Sequence, residues 1–90
     1  MIPENRRPTH PGEILLEEFL KPMRMTQLQL AARLKVPVQR INTLINGKRG
    51  VTPETAILLS RVFKNSPEFW MNLQTAHDLY QAKTAIDRAA

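Results

Sequence analysis

Prolines at positions 11, 22, 37, 53 and 67 cut this chain into helix-length segments, and that spacing limits its fold more than any other feature. A proline is tolerated in the first turn of a helix, where its missing N–H would go unpaired, and disrupts a helix interior. Thr52-Pro53-Glu54 and Ser66-Pro67-Glu68 both read as helix starts, with a capping hydroxyl, a first-turn proline and an early acid. Pro11 with Glu13 opens another, His10 belonging to its cap, and Pro22 is expected to stop it. Between these marks the apolar residues recur at helical spacing: Ile14, Leu15, Phe19 and Leu20; Leu30, Ala31 and Leu34; Val38, Ile41, Leu44 and Ile45; Ala56, Leu59, Val62 and Phe63; Phe69, Trp70, Leu73, Ala76 and Tyr80. No strand pattern or internal repeat interrupts them. The expectation is an all-α, compact five-helix domain formed by residues 1–90, its last helix covering 67–82 and fraying after Gln81.

The second and third segments carry a stricter pattern. Thr26 and Gln29 have capping-box spacing, and Asn46-Gly47 is a stop signal. Counting from Gln27, position five is Ala31, small enough for two helices to nest. Positions four, eight, ten, fifteen and eighteen are Leu30, Leu34, Val36, Ile41 and Leu44. A helix-turn-helix demands this whole set, so residues 27–46 are read as one. Its ninth position, in the turn, favours glycine because the backbone there takes a positive φ. Lys35 stands there, at a cost of about 1 kcal/mol.

Charge follows the motif. From Phe19 to Pro53 there is no acid, yet seven of the 13 basic residues lie there: Lys21, Arg24, Arg33, Lys35, Arg40, Lys48 and Arg49. Such a block draws a protein onto phosphates. Helix geometry turns Ile41, Leu44 and Ile45 inward and Val38, Gln39, Arg40, Asn42 and Thr43 outward, as a surface for the major groove of double-stranded DNA. Gln39 suits bidentate reading of adenine, Arg40 guanine or phosphate, and Val38 or the Thr43 methyl a thymine methyl. Gln27 is placed for the sugar-phosphate chain, and Asn46, Lys48 and Arg49 for phosphate beyond the reading helix.

Four stretches, RPTHPGEILLEEFL (7–20), the helix-turn-helix itself, INGKRGVTPETAILLSRVF (45–63) and SPEFWMNLQTAHDL (66–79), resemble the HigA-type antitoxins of the Xre-like helix-turn-helix superfamily. HPGEIL, NGKRG and SPEFWMNLQ are the most specific. The chain departs from that family at Arg24 and Lys35, where glycine is usual. The resemblance implies a lambda-repressor-like fold, repression of the chain's own operon and neutralisation of a small basic mRNA-cleaving toxin of the HigB type. It also implies a homodimer joined through the C-terminal helix, with two reading helices roughly 34 Å apart and Trp70, Leu73 and Tyr80 as candidate contacts, although core packing is the more frequent fate of such residues.

Other classes fit less well. A stand-alone Xre-like regulator without a toxin has the same residues. A single-strand RNA binder would expose aromatics, and the basic block has none beyond Phe19. An enzyme lacks its parts: the chain has no cysteine, and His10 and His77 are far apart in sequence with no second ligand beside either. Neither cofactor nor metal is expected. The opening MIPENRRPTHPGE lacks a signal-peptide core, and no apolar run approaches bilayer length, so a cytoplasmic protein without membrane contact is expected.

Overall fold

The structure, a computed structural model, describes residues 8–89. The opening MIPENRR, including the first residue of the 7–20 stretch, and Ala90 lie outside the described residues. Five helices follow one another, numbered here α1 (residues 11–23), α2 (Gln27–Leu34), α3 (Val38–Ile45), α4 (Pro53–Phe63) and α5 (Pro67–Ala89).

Most helix starts are the ones the capping residues specify. The Thr26 hydroxyl accepts from the Gln29 N–H at 3.0 Å and the Gln29 side chain accepts from the Thr26 N–H at 2.8 Å, completing the capping box. Thr52 caps α4 through the Thr55 N–H, and Ser66 caps α5 through the Phe69 N–H. At α1 the cap is an imidazole: His10 Nδ1 accepts from the Gly12 N–H at 2.9 Å.

Helix α1 runs one residue past Pro22, contrary to the stop expected there. It begins as α-helix (Pro11–Ile14), widens to a π-helical stretch over Leu15–Leu20 and closes with a last turn at Lys21–Met23. In a regular α-helix the Pro22 ring would meet the carbonyl four residues back, and the wider turn relieves that crowding. Helix α5 also outruns expectation, continuing through Ala89 rather than ending near residue 82. Its tail is weakly amphipathic but rich in alanine and other strong helix formers, with Lys83 paired to Asp87 at 2.9 Å one turn on.

Helices α1, α2 and α4 end on residues in the left-handed region: Arg24 (φ 52), Lys35 (φ 58) and Lys64 (φ 58). None is glycine, yet all take the conformation glycine would. At Lys35 the Val36 N–H reaches back to the Ala31 carbonyl at 3.0 Å, which swings Val36 against the core and lets Pro37 start α3. Arg24 repeats the device, with the Met25 N–H on the Leu20 carbonyl at 2.9 Å. A cation at a helix C-terminus also meets the negative end of the dipole, a partial compensation for the strain.

The core is one cluster to which every helix contributes: Leu15 and Leu20 from α1, Leu30, Ala31 and Leu34 from α2, Ile41 and Leu44 from α3, Ala56 and Leu59 from α4, and Trp70 from α5. Gly12 sets how closely α1 meets α3. A Cβ there would fall 1.8 Å from the Leu44 carbonyl oxygen, a backbone atom that cannot step aside.

Left-handed backbone costs a non-glycine residue about 1–2 kcal/mol, and glycine's freer unfolded chain returns about 0.4–1 kcal/mol of that. Lys35→Gly is therefore expected to stabilise the fold by about 0.5–1 kcal/mol in urea denaturation, with an unchanged m-value. A second expectation concerns His10. Burial, then the neighbouring His77 ring, lowers its pKa below 6.5, against weaker upward pulls from Asp78 and Glu13. The unfolded chain thus binds the extra proton more readily, so this contribution to stability is full above pH 6.5 and shrinks as pH falls below it. The melting temperature of His10→Asn, which keeps a capping acceptor but no titrating ring, is expected to fall less on acidification than that of the native chain.

Candidate nucleic-acid interface

Helix α3 is held by its inner side, with Ile41 and Leu44 only 1% and 2% exposed. Its outer side is therefore set without freedom. Val38, Gln39 and Asn42 are exposed, Arg40 and Thr43 half-exposed, and Asn46, Lys48 and Arg49 continue the surface into the α3–α4 loop. Pro37, Gln39, Arg40, Thr43, Lys48 and Arg49 border one open concavity of about 380 Å³. The sequence-predicted residues of α3 and the loop thus form one continuous, basic, solvent-facing surface.

Hydrogen bonds refine the roles within it. Asn42 Nδ2 donates to Gln27 Oε1 at 3.3 Å, and Asn46 Nδ2 donates to Asn42 Oδ1 at 3.1 Å. A polar chain thus crosses from the start of α2 to the end of α3. Asn42 sits in its middle with both ends of its amide engaged, a brace more than an outward probe. Gln27 spends its acceptor there and keeps its amide N–H groups, the end that suits a phosphate oxygen. Thr43 Oγ1 donates to the Arg40 carbonyl at 3.1 Å, which spends its one proton and leaves Thr43 a methyl and an acceptor oxygen to offer to a partner.

Two contacts, one on this surface and one away from it, escaped the sequence. Glu54, in the first turn of α4, lies 3.9 Å from Arg40 Nη1, so the acid-free block is not acid-free in space. The pair is exposed and contributes little to stability, but it draws the guanidinium towards α4. The two histidines also meet, their ring centroids 4.8 Å apart and nearly perpendicular, joining the start of α1 to α5. The expectation of two isolated histidines is corrected by the contact of α1 with α5. The contact does not make a metal centre: among the described residues no cluster of three or more His, Cys, Asp or Glu side chains has the arrangement to hold an ion.

The C-terminal helix needs a correction as well. Trp70, a candidate for a surface between protomers, takes the other course open to it, the core, and is 0% exposed. Its ring lies 5.1 Å from both Phe19 and Phe69, and its Nε1 donates to Asn65 Oδ1 at 2.9 Å. It anchors α5 to α1 and α4 within one chain. Leu73 packs partly against the same core, and Tyr80 is half-buried. Beyond Trp70, the large apolar side chains that α5 leaves most exposed are Leu79 and Ile86, 65% and 68% exposed, which helical periodicity does not single out.

No helix among the described residues is long and apolar enough to cross a membrane.

Comparison with known proteins accords with this geometry. The helix-turn-helix family model matches residues 16–70. The virulence-associated protein I of Dichelobacter nodosus is 47% identical over 82% of this chain and 68% of its own length. Antitoxin HigA-1 of Vibrio cholerae is 42% identical over 94% of this chain and 80% of its own. Among solved structures, the Pseudomonas aeruginosa antitoxin HigA with the higBA promoter superposes with a TM-score of 0.88 at 41% identity, over 92% of this chain and 90% of that one. By sequence and by fold, the chain belongs to the HigA-type branch of the Xre-like helix-turn-helix family.

Proposed function

We propose that this chain is a sequence-specific DNA-binding antitoxin of the cytoplasm. It represses its own operon and neutralises a HigB-type mRNA-cleaving toxin encoded beside it. The observation that carries the DNA-binding part is the continuous outer surface of α3 and the following loop, presented by a scaffold that a promoter-bound relative shares. Gln39 offers a donor and an acceptor to one base edge, suited to adenine. Arg40, held between Glu54 and the groove, reaches guanine or phosphate, while Val38 and the Thr43 methyl meet thymine methyls. Gln27, Asn46, Lys48 and Arg49 engage the backbone on either side, with Asn42 bracing the set. The toxin-binding part follows from the family, whose antitoxins pair with such toxins. No catalytic role is assigned.

The chain acts as a homodimer in this reading. With Trp70 committed to the core, the distal half of α5, with Leu79, Tyr80 and Ile86, is the part left to meet a second copy. Two reading helices then face successive turns of a palindromic site.

Footprinting on the region upstream of the chain's own gene is expected to protect one palindrome. Gln39→Ala is expected to cost about 1–3 kcal/mol on that site while sparing random DNA. Lys48→Ala is expected to weaken both duplexes alike and lower the salt slope by about 1. Equal losses on specific and random DNA for Gln39→Ala would remove that residue from base reading. Light scattering is expected to give a dimer, a monomer for the chain cut after Asp78, and a larger complex with the toxin-like product of an adjacent gene. A native monomer, or no complex, refutes the respective partner.

A further inference from the structure

Gln74 is a buried amide with a specific task. Of the two buried polar side chains among the described residues, Ser60 returns its hydroxyl to its own helix, whereas Gln74 reaches across to another segment. From one turn beyond Trp70 its Oε1 accepts from the Val51 N–H at 2.7 Å, and its Nε2 donates to Asp78 Oδ1 at 2.8 Å. Burying an amide is unfavourable unless both ends are paired, and both are. Gly50 lies against the same amide: a Cβ there would come within 2.8 Å of Oε1.

These contacts fix the far end of the α3–α4 loop. Its near end is closed by α3, through the Gly47 N–H on the Leu44 carbonyl at 3.1 Å and the Lys48 N–H on the Thr43 carbonyl at 2.9 Å. Its far end, at Gly50-Val51, has the Val51 side chain in the core and its N–H on Gln74. Lys48 and Arg49 stand between the two anchors, both exposed. A loop pinned at both ends presents its charges at a fixed height beside the reading helix. Released at one end it would have to be ordered again on binding, at a cost in affinity.

We propose that Gln74 is a positioning residue for DNA binding, holding the loop so that Lys48 and Arg49 meet phosphates flanking the bases read by α3. This rests on the DNA-binding reading above. Gln74 never touches DNA; it acts through the Val51 N–H.

Anisotropy titrations from about 50 to 200 mM salt test this, on a duplex from the chain's upstream region and on a random duplex of equal length. Gln74→Ala and Gly50→Ala, which disturb the same bond from opposite sides, are each expected to weaken binding about tenfold on both duplexes. They are also expected to reduce the salt slope by about 1 to 2, the signature of phosphates no longer engaged. Gln74→Glu alone sets a carboxylate against Asp78 and is expected to lose affinity as well. The double variant Gln74→Glu/Asp78→Asn conserves net charge, keeps an acceptor for Val51 and reverses the second bond, and is expected to recover the native slope. Should Gln74→Ala fail to fold, Gly50→Ala and the double variant carry the result. Native affinity and slope in Gly50→Ala, or a folded Gln74→Ala with native slope, overturns the assignment. A native chain that binds neither duplex in a salt-dependent way overturns the DNA-binding reading itself, and this assignment with it.

Discussion

Ala31 serves the helix-turn-helix twice. Its methyl, 3% exposed, is small enough for α2 and α3 to lie against each other, and its carbonyl receives the Val36 N–H that closes the turn. A larger side chain would push the helices apart; a changed backbone there would release Val36 from the core and Pro37 from its place ahead of α3. The exit angle of α3 thus depends on a small buried residue outside it. Gly12 works in the same direction from the other side, since only a missing Cβ lets the start of α1 reach the Leu44 carbonyl. With α3 confined between these two approaches, its outward residues have nowhere else to point.

What the outer surface presents is then a matter of charge and of internal hydrogen bonds. The basic block gives the long-range attraction, which is indifferent to sequence. Specific reading needs side chains whose orientation is settled before contact, because ordering them afterwards subtracts from affinity. The Gln27–Asn42–Asn46 chain and the Thr43 hydroxyl bond provide that order without using a core residue. Glu54 adds a counterweight. By drawing Arg40 towards α4 it lowers the attraction of that guanidinium for phosphate, which in the proposed function favours a base edge with two acceptors over the backbone.

The frame is legible in the sequence because each helix start carries its own local chemistry. Thr26, Thr52, Ser66 and His10 act on N–H groups two or three residues away, a range that spacing alone reveals. Core positions are legible for the same reason, and so is the positive φ at Lys35, where the demand of the motif outweighs the preference of the residue. The departures from expectation involve longer range or competing local effects. Pro22 has the chemistry of a stop, but the π-helical turn before it makes room for the ring. Trp70 suits an interface or a core alike, and what decides for the core is Phe19 and Phe63, which close around it from two other helices and which nothing in its own segment announces. The pairing of His10 with His77 and of Arg40 with Glu54 likewise depends on how distant segments cross.

Helix α5 therefore has two halves with different physics, divided near Asp78. The first is bound into the domain by Trp70, Leu73 and Gln74, and through Gln74 it reaches the loop that carries Lys48 and Arg49. The second is sustained by helix propensity and a Lys83–Asp87 pair while Leu79 and Ile86 remain in water. Isolated helix of that length is marginal, so the distal half is the part of the fold with most to gain from a partner. Asp78 stands at the junction: it accepts from Gln74 and lies 3.7 Å from His77 Nδ1, a buried nitrogen with no hydrogen-bond partner among the described residues, whose ring abuts the His10 cap. Contacts through this junction run in one direction to the loop that carries Lys48 and Arg49 and in the other to the cap of α1. The proximal half of α5, the α3–α4 loop and the start of α1 thus share one small group of side-chain contacts at the point where the distal half begins.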